Sequence, residues 1–577
     1  YINLNERPIT QKANYANEPI NNTILGFNAN YSSELPFLSS LVNNLPTIDT
    51  HAPSNISHRG DFAYLLPGAP KGTDFNGEAT AYIDDFEGSQ NGIDLKSPQS
   101  WFLSSRPLAL NGTTAFDAFS GLRSGYDRAL LNWYTIDPIF YSGQRPNGID
   151  DDDISNIYTS RVFVNELFPE QDIAQGQTAV LNTLDLTYYP TERGPYNFSD
   201  TNLTPDGSTL VNPNDGWAGI TRQITSTDFE QANVEYIEFW MQDPFQENPT
   251  NPGGKLVFNL GSISEDVLKD GKKQYENGLP KDGNVSLLQN DVTPWAIPQN
   301  QALIYAFDSV GEERTNQDVG YDGYDDLEEM SIADPTINPG NPQPIPASIA
   351  ALPDPSADNY QYYLAAEGDI LERYKRYNNV QGNSPDAFSD TNRGSTTQPD
   401  VEDINRDNTM NTIDSYFEYE LEVTRQNLPL NNLGEIAPTN PIGEFIRDVK
   451  IRPRVLPNGD TEQIRWYQFR IPVQGEHVVA RNGITDLRSI RFARMFLNDF
   501  SEQTTFRFGT LDLVRSDWRR YQLALDGGPT PADFNDTDFT VGVVSTQEND
   551  GSYESPPGVV PERLNNNNTI IDQNEQS

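Results

Sequence analysis

The fold class of this chain is decided by two similar strand pairs: Ile237-Glu-Phe-Trp-Met241 with Phe258-Asn-Leu-Gly-Ser-Ile263, and Ile490-Arg-Phe-Ala-Arg-Met495 with Phe506-Arg-Phe-Gly-Thr-Leu511. Each pair places two amphipathic strands before a glycine, Gly261 or Gly509, at which we expect the last strand to bulge or kink. Because this strand-pair pattern occurs twice along the chain, it predicts a mostly β protein with two jelly-roll-like β-sandwich modules. We place these modules at residues 81–265 and 403–525.

Further strand candidates in the first module are separated by polar loops that contain Pro and Gly, as is typical of β-sandwiches. They are Val162–Leu167, Thr183–Tyr189, Val234–Met241 and Lys255–Leu260. Between the modules, residues 266–402 contain an acidic loop, a proline-rich linker and a helix candidate at Tyr362–Tyr377. Residues 526–577 are rich in Gly, Asn, Asp and Pro, which predicts a flexible tail.

The first 80 residues have a different pattern. Leu25, Phe27 and Tyr31 alternate with polar residues, and the segment Gly60–Pro67 could pair with them as a second strand. Between these segments, Leu35–Val42 predicts a short helix. Such a hairpin could form the edge of a globular sheet or supply two strands of a membrane β-barrel, whose alternation signal is weak in each strand.

Composition excludes several functional classes. Aromatic residues make up 11% of the 577 residues, which argues against wholesale disorder. The net charge of −45 makes nucleic acid an unfavourable partner, because phosphate binding needs a basic surface. The absence of cysteine excludes disulfides and cysteine–zinc sites, and the three histidines have no metal-site spacing.

An oxygen-rich segment from Asp403 to Asp414 matches the spacing of an EF-hand-type calcium loop and resembles a dockerin loop. The oxygen-bearing residues fall at loop positions 1, 3, 5, 9 and 12, and a backbone carbonyl serves at position 7. Position 6 is Asn408 instead of Gly, although Asn tolerates the left-handed conformation. The predicted ligands are Asp403, Asn405, Asp407, Thr409, Asn411 and Asp414.

A second acidic segment, from Asp318 to Glu329, fits the same spacing less completely. Gly323 would form the turn and Glu329 would bind in bidentate fashion, but Gly320 leaves position 3 without a ligand. The predicted ligands are Asp318, Asp322, Asp326 and Glu329. We expect structural calcium at both loops, whereas the acidic run from Asp150 to Asp153 lacks ligand spacing and predicts a solvated loop.

Catalysis is not expected. The best candidates for a catalytic carboxylate pair are Asp84, Asp85 and Glu87. However, adjacent carboxylates on a strand point to opposite faces, and a glycosidase needs its two carboxylates to converge on one bond. Nucleophile-elbow, phosphate-loop and zincin motifs are absent. Several tryptophans could line a sugar cleft, but most lie in strand-like patterns that predict a core position.

Four segments resemble the SprA/Sov family of gliding-motility proteins. They are Ala81-Tyr-Ile-Asp-Asp-Phe-Glu-Gly-Ser-Gln90, Leu184-Asp-Leu-Thr-Tyr-Tyr-Pro-Thr-Glu-Arg-Gly-Pro-Tyr196, Leu371-Glu-Arg-Tyr-Lys-Arg-Tyr377 and Phe508-Gly-Thr-Leu-Asp-Leu-Val514. The resemblance implies an outer-membrane β-barrel that serves as the translocon of the Bacteroidetes type IX secretion system. It also implies secreted cargo proteins, a PorV-like shuttle protein, a plug protein and the rest of the barrel as partners.

The chain starts at Tyr1 without a signal peptide and is too short for such a barrel. We therefore expect an internal region of the translocon, located at the outer membrane, with its soluble part extracellular or in the barrel lumen. The alternative is a stand-alone, calcium-stabilised glycan-binding protein of the cell surface. A third hypothesis, a calcium-assisted glycan lyase or hydrolase, would require Asp85 for turnover.

Overall fold

The protein is mostly β. A computed structural model describes residues 2–5, 21–47, 49–66, 74–75, 78–79, 92–108, 110, 121–169, 179–275, 295, 320–332, 345–378 and 399–515. Its strands are β1 (Ile2–Asn5), β2 (Asn21–Glu34), β3 (Asn55–Leu66), β4 (Asp74–Phe75), β5 (Glu78–Ala79), β6 (Ile93–Asp94), β7 (Phe102–Leu103), β8 (Ala129–Tyr134), β9 (Leu184–Arg193), β10 (Trp217–Gln223), β11 (Val234–Gln242), β12 (Gly254–Ser262), β13 (Ser415–Val423), β14 (Ile446–Val455), β15 (Thr461–Pro472), β16 (Val479–Arg481), β17 (Phe492–Asn498) and β18 (Thr504–Arg515). Its helices are α1 (Pro36–Val42), α2 (Val164–Leu167), α3 (Asp326–Ile332), α4 (Ala347–Ala350) and α5 (Ile370–Tyr374).

The described residues belong to two compact units. Strands β1–β5 and helix α1 lie in the first unit, and all later strands and helices lie in the second. None of the helices in the described part of the chain has the length and apolarity needed to cross a membrane.

A long antiparallel hairpin dominates the first unit. Strand β2 pairs with β3 from Thr23 opposite Leu66 to Glu34 opposite Asn55, and β1 adds to the free side of β2. Helix α1 follows β2 and begins at Pro36, where the missing backbone N–H costs no helical hydrogen bond. The antiparallel pairing and the short helix expected from the sequence are both confirmed.

The second unit is one β-sandwich. Its first sheet has the strand order β16-β13-β12-β17-β10-β7, and its second has the order β14-β15-β11-β18-β9-β8, with β6 paired to β18. Their inner faces share one hydrophobic core that contains residues of both sheets. The rings of Phe239 in β11 and Phe258 in β12 meet across this core with their centroids 5.5 Å apart.

The prediction of two separate sandwiches is wrong, because the two strand pairs interlock. Strand β12 pairs with β17 along seven positions in the first sheet, and β11 pairs with β18 in the second sheet. Each strand pair thus gives one strand to each sheet, and β12 and β11 have neighbours from the second predicted module on both sides. The strands of the two predicted modules are therefore intercalated in both sheets.

The two glycines have different roles. The bulge predicted at Gly509 is confirmed. Trp240 pairs with Thr510 and Met241 pairs with Phe508, so Gly509 is the extra residue of a β-bulge. Gly261 keeps regular pairing on both sides. A side chain there is excluded by close backbone approach, because a Cβ atom at Gly261 would lie 2.5 Å from the carbonyl oxygen of Ser415.

Three of the four further strand candidates are confirmed as β9, β11 and β12. Val162–Leu167 is not a strand, because residues 164–167 form α2. The Glu166 carboxylate accepts a hydrogen bond from the Phe163 backbone N–H at 3.2 Å, which stabilises the first turn. The same carboxylate is buried in a two-bond pair with Arg454 of β14 at 3.0 and 2.7 Å.

The helix expected at Tyr362–Tyr377 is much shorter. Only α5 is helical, and the Asp369 side chain caps it by accepting a hydrogen bond from Glu372 N at 2.8 Å. Tyr363, which precedes α5, does not extend the helix. Its ring stacks on that of Tyr374, the last residue of α5, with the ring centroids 4.7 Å apart.

Candidate metal centre

A buried acidic centre lies in the long connection between β12 and β13. It is built from the segment 320–332, which contains α3, and from residues 354–359, which follow α4. Gly323 adopts a left-handed backbone (φ 74°) and donates its N–H to the Gly320 carbonyl at 3.0 Å. This is the turn predicted for Gly323, and it brings Asp322 next to the first turn of α3.

Carboxylates from both segments converge in this centre. Oxygens of Asp322, Glu329 and Asp358 lie within 4.8 Å of one another, and all three side chains are buried. A second set shares Glu329 and adds Asp326 and Asp354. Three residues predicted as calcium ligands are therefore brought together, namely Asp322, Asp326 and Glu329, whereas Asp318 lies outside the described residues.

Hydrogen bonds fix the orientation of two of these carboxylates. Asp322 accepts from Tyr324 N at 3.1 Å and from the Ser356 hydroxyl group at 2.6 Å, and Glu329 accepts from Ser356 N at 2.9 Å. Ser356 thus links the two segments directly. In contrast, the Oδ2 atom of Asp358 is buried with no donor in hydrogen-bonding geometry, and the Tyr196 hydroxyl group lies next to this carboxylate.

Gly320 makes room for the Asp358 carboxylate. A Cβ atom at Gly320 would overlap Asp358 Oδ2 and lie 2.7 Å from the Tyr196 hydroxyl oxygen. The sequence comparison with a calcium loop treated Gly320 as a missing ligand. The structure shows that this position instead admits a carboxylate from a distant part of the chain.

Burial raises the pKa of every carboxyl group in the core of this centre. The pKa of Asp322 rises to about 7, chiefly through burial, with Asp354 and Asp326 adding electrostatic repulsion. The pKa values of Glu329 and Asp358 are raised well above their ordinary range by burial and by neighbouring carboxylates. Three charges this close need a cation or protons to coexist.

The nearest arginine does not neutralise the centre by hydrogen bonding. Arg193 is buried at the end of β9 and donates to the backbone carbonyls of Asp354 at 2.7 Å and Pro355 at 2.6 Å. In the described part of the chain, Asp322, Glu329 and Asp358 form no ion pair within bonding distance. The Arg193 guanidinium group therefore positions the loop that carries Asp358. It does not occupy the Asp358 carboxylate, which can bind another group.

The 403–414 segment surrounds a carboxylate that comes from outside the loop. The side chain of Glu265, which follows β12, enters the loop and accepts hydrogen bonds from Ile404 N at 2.6 Å and Asn405 N at 3.2 Å. It also accepts from Asn411 N at 2.9 Å and Asn411 Nδ2 at 2.7 Å. The loop therefore directs N–H groups inward around an anion.

The six predicted ligands of this loop make hydrogen bonds within the loop or with its neighbours. Asp403 accepts from the N–H groups of Asp407 and Asn408 at 3.0 and 2.9 Å, and Asn405 and Thr409 bond to Asp407. Asp414 is buried on the other side, where it accepts from Ser264 N at 3.1 Å and faces Lys269 and Arg494. Asn408 has the left-handed backbone expected for it, with φ 67°.

A third acidic set escaped the sequence analysis because its members are far apart in the chain. Oxygens of Asp266, Asp270 and Glu402 lie within 4.8 Å of one another. Glu402 accepts from the N–H groups of Val267, Leu268 and Gln274 at 2.7, 3.1 and 3.0 Å. Backbone N–H groups thus satisfy the Glu402 carboxylate of this set, as they do the Glu265 carboxylate.

The remaining candidates have structural positions. Trp101, Trp217, Trp240 and Trp466 are fully buried, so they cannot line an open sugar cleft, and their predicted core position is confirmed. The acidic run from Asp150 to Asp153 forms a hydrogen-bonded turn whose first residues are exposed. Asp84, Asp85, Glu87 and Trp518 lie outside the described residues.

Comparison with known protein families finds a match to the carboxyl-terminal part of the chain. The SprA_N family, described as "Motility related/secretion protein", matches residues 341–577. The match includes α4, α5 and every strand from β13 to β18. No curated protein is significantly similar to the chain. Two of the four segments that resemble SprA in sequence, Leu371–Tyr377 and Phe508–Val514, lie within this match. The match and the resemblance together support membership of the chain in the SprA family of motility-related secretion proteins.

Proposed function

We propose that this chain is an internal, non-enzymatic region of a giant outer-membrane translocon of the type IX secretion system, needed for secretion and gliding motility. The match of residues 341–577 to a family of motility-related secretion proteins supports this function. The observation that carries the proposal further is the β2–β3 hairpin, whose two faces differ in polarity in the way that a membrane β-barrel requires.

One face of the hairpin is apolar and exposed. Phe27 lies opposite Phe62, and Leu25 lies opposite Tyr64. The exposed fractions of Phe27 and Phe62 are 67% and 60%, values that a globular protein seldom tolerates for neighbouring phenylalanines. Lipid acyl chains would cover such a face without any loss of backbone hydrogen bonds.

The other face of the same strands is polar from Asn28 onward, although Ile24 lies opposite Leu65 near the open end of the hairpin. Asn28 lies opposite Asp61, and Asn30 lies opposite Arg59, so amide and charged groups share this side. Strands β2 and β3 contain 14 and 12 residues, more than the roughly 10 that a tilted barrel strand needs to cross a bilayer. The polar face would line the aqueous lumen of the barrel.

The β-sandwich would form the soluble part of this translocon, as a wall or a cap of the pore. A net charge of −45 gives the protein an anionic, strongly hydrated surface. Such a surface suits the passage of secreted cargo proteins without adhesion. The partners in this proposal are the cargo, a PorV-like shuttle protein, a plug protein and the rest of the barrel, with the soluble part extracellular or in the barrel lumen.

The test compares charges placed on the two faces of the hairpin in the native parent protein. Phe27→Arg and Phe62→Arg would place charges against lipid, each costing about 2–4 kcal/mol near the bilayer midplane. We expect loss of the protein from the outer-membrane fraction, together with loss of type IX cargo secretion and gliding. The matched control Asn28→Arg on the polar face should keep all three.

Two results would overturn the proposal. One is a parent protein that is extracted without detergent. The other is full secretion of type IX cargo after deletion of the sandwich, residues 92–515. Equal tolerance of arginine on both faces of the hairpin would contradict the assignment of the aromatic face to lipid.

A further inference from the structure

The acidic centre of the second unit has a composition suited to one class of ligand. Its five carboxylates form two overlapping sets that share Glu329. No histidine takes part in either set, and the chain has no cysteine. Ligands that are all carboxylate oxygens select hard cations, whereas nitrogen and sulfur ligands favour zinc and other transition metals.

A second observation points independently to a missing ligand. Asp358 is only 8% exposed, and its Oδ2 atom accepts no hydrogen bond, although buried carboxylate oxygens are almost always satisfied. The polar groups around it include the Tyr196 hydroxyl group and further carboxylates, and the carboxylates repel its charge. A bound cation would satisfy this oxygen and remove the repulsion at the same time.

We propose that Asp322, Glu329 and Asp358 bind a calcium ion, and that Asp326 and Asp354 complete the site on the other side of Glu329. Calcium accepts a mixture of single and bidentate carboxylates in a flexible geometry, whereas magnesium requires a near-ideal octahedron and retains water. A set of carboxylates drawn from two separate loops fits the calcium requirement. The site differs from an EF-hand loop because its ligands are not contiguous in sequence.

The ion would fasten the connection between β12 and β13 to the sandwich. Its two ligand segments are separated by residues 333–353, and the first is attached to the core through Tyr321, whose N–H donates to the Tyr196 hydroxyl group at 2.8 Å. The rings of Tyr196 and Tyr321 stack with centroids 6.2 Å apart. Calcium binding is thereby coupled to folding of the second unit.

The experiment measures calcium binding to the full chain after removal of bound metal by a chelator. Titration calorimetry with calcium chloride, elemental analysis after dialysis and melting curves with and without chelator should agree. We expect the chain to retain calcium and to melt at a higher temperature with it. Asp358→Asn and Asp322→Asn should each weaken binding at least tenfold, because each removes a charged ligand.

Matched controls separate this site from the other acidic loops. Asp407→Asn changes the exposed part of the 403–414 loop, and Asp270→Asn changes the third acidic set. Both should leave calcium affinity unchanged. Asp354→Asn, at a half-buried position, provides a milder variant if the buried substitutions prevent folding, and we expect it to weaken binding severalfold.

Three results would overturn the proposal. The first is a wild-type chain that contains no calcium and melts identically in excess chelator, which would mean that shared protons stabilise the carboxylates. The second is calcium binding that survives Asp322→Asn, Asp354→Asn and Asp358→Asn but is lost in one of the controls. The third is terbium luminescence, sensitised by the tyrosines next to Asp322, that does not fall when calcium is added.

Discussion

Single carboxylates in this protein have different environments although their sequence contexts look alike. Asp403 and Asp407 lie in an oxygen-rich loop, yet their oxygens accept N–H groups of the same loop. Asp358 has no sequence signal at all and lies in the centre of an acidic set. Spacing shows which residues share a loop, but it does not show whether their lone pairs face an ion or a donor.

The candidate site could therefore be predicted only in part. Asp322, Asp326 and Glu329 were found because they lie within one turn-and-helix segment, where local spacing determines proximity. Asp354 and Asp358 were missed because they reach the same point through tertiary packing. Glu265 was missed for the same reason, since it enters the 403–414 loop from the end of β12.

Asp512 provides a test of charge burial within the sheet. It lies in β18 directly between Glu238 of β11 and Asp94 of β6, with Lys96 as a nearby opposite charge. Burial first, and Asp94 second, raise its pKa from 3.8 to about 7. The folded protein therefore keeps this proton over a pH range in which the unfolded chain has lost it.

Stability should accordingly fall as pH rises from about 4 to about 7, the interval between the unfolded and folded pKa values of Asp512. Asp512→Asn should remove this loss and raise the free energy of unfolding by about 1 kcal/mol at pH 8, with little effect at pH 4. Urea denaturation at both pH values measures the difference. The exposed control Asp460→Asn keeps Asp512 and should therefore retain the fall in stability between the two pH values. Equal effects of Asp512→Asn at both pH values would contradict the argument.

The positions of the strands could be predicted from the sequence, but the pairing between strands could not. Period-two alternation is a local property, so β9, β11 and β12 could be located from the sequence. Pairing is decided by segments far along the chain, and the internal similarity suggested two repeated domains where the structure has one interlocked sandwich. Helix α2 was predicted as a strand because the β-branched and aromatic residues of this segment favour strands. The hydrogen bond of Glu166 that stabilises its first turn is not evident from this composition.

Gly261 marks a place where two strands approach closely. It lies in β12 between β13 and β17, has φ 157°, and a Cβ atom there would lie 2.5 Å from Ser415 O and 2.7 Å from Tyr416 Cα. Backbone atoms in a paired strand cannot move away cheaply. Gly261→Ala should therefore lower the free energy of unfolding by about 2 kcal/mol, as measured by urea denaturation.

Gly143→Ala is the matched control for this substitution, because an added Cβ atom at Gly143 meets nothing within 4 Å. It should leave the denaturation midpoint unchanged. A Gly261→Ala variant as stable as the parent would mean that β12 and β13 can separate without cost, contrary to their continuous pairing.

The sandwich as a unit depends on segments from both ends of its sequence. The first sheet takes β7, β10 and β12 from before the long connection and β13, β16 and β17 from after it. The second sheet is divided in the same way. The shared core therefore cannot form from either part by itself.

A cut in the chain tests this dependence. A protease site inserted between residues 379 and 398 would yield one fragment that contains β6–β12 and another that contains β13–β18. We expect the fragments to remain associated during size-exclusion chromatography and to separate only in denaturant, because β12–β17 and β11–β18 pairing holds them together. Expressed singly, each fragment should lack a cooperative melting transition. Separation under native conditions would contradict the interlocked topology.

The position of β18 has a consequence for how the protein is made. This strand is the last in the described part of the chain, yet it lies inside its sheet between β11 and β9. During synthesis from the amino terminus, the nascent chain exposes β9 and β11 as unpaired edges until residue 515 is available. Folding must then close contacts between distant segments, a high contact order that slows the rate. A nascent chain of this kind requires protection from aggregation until its final strand arrives.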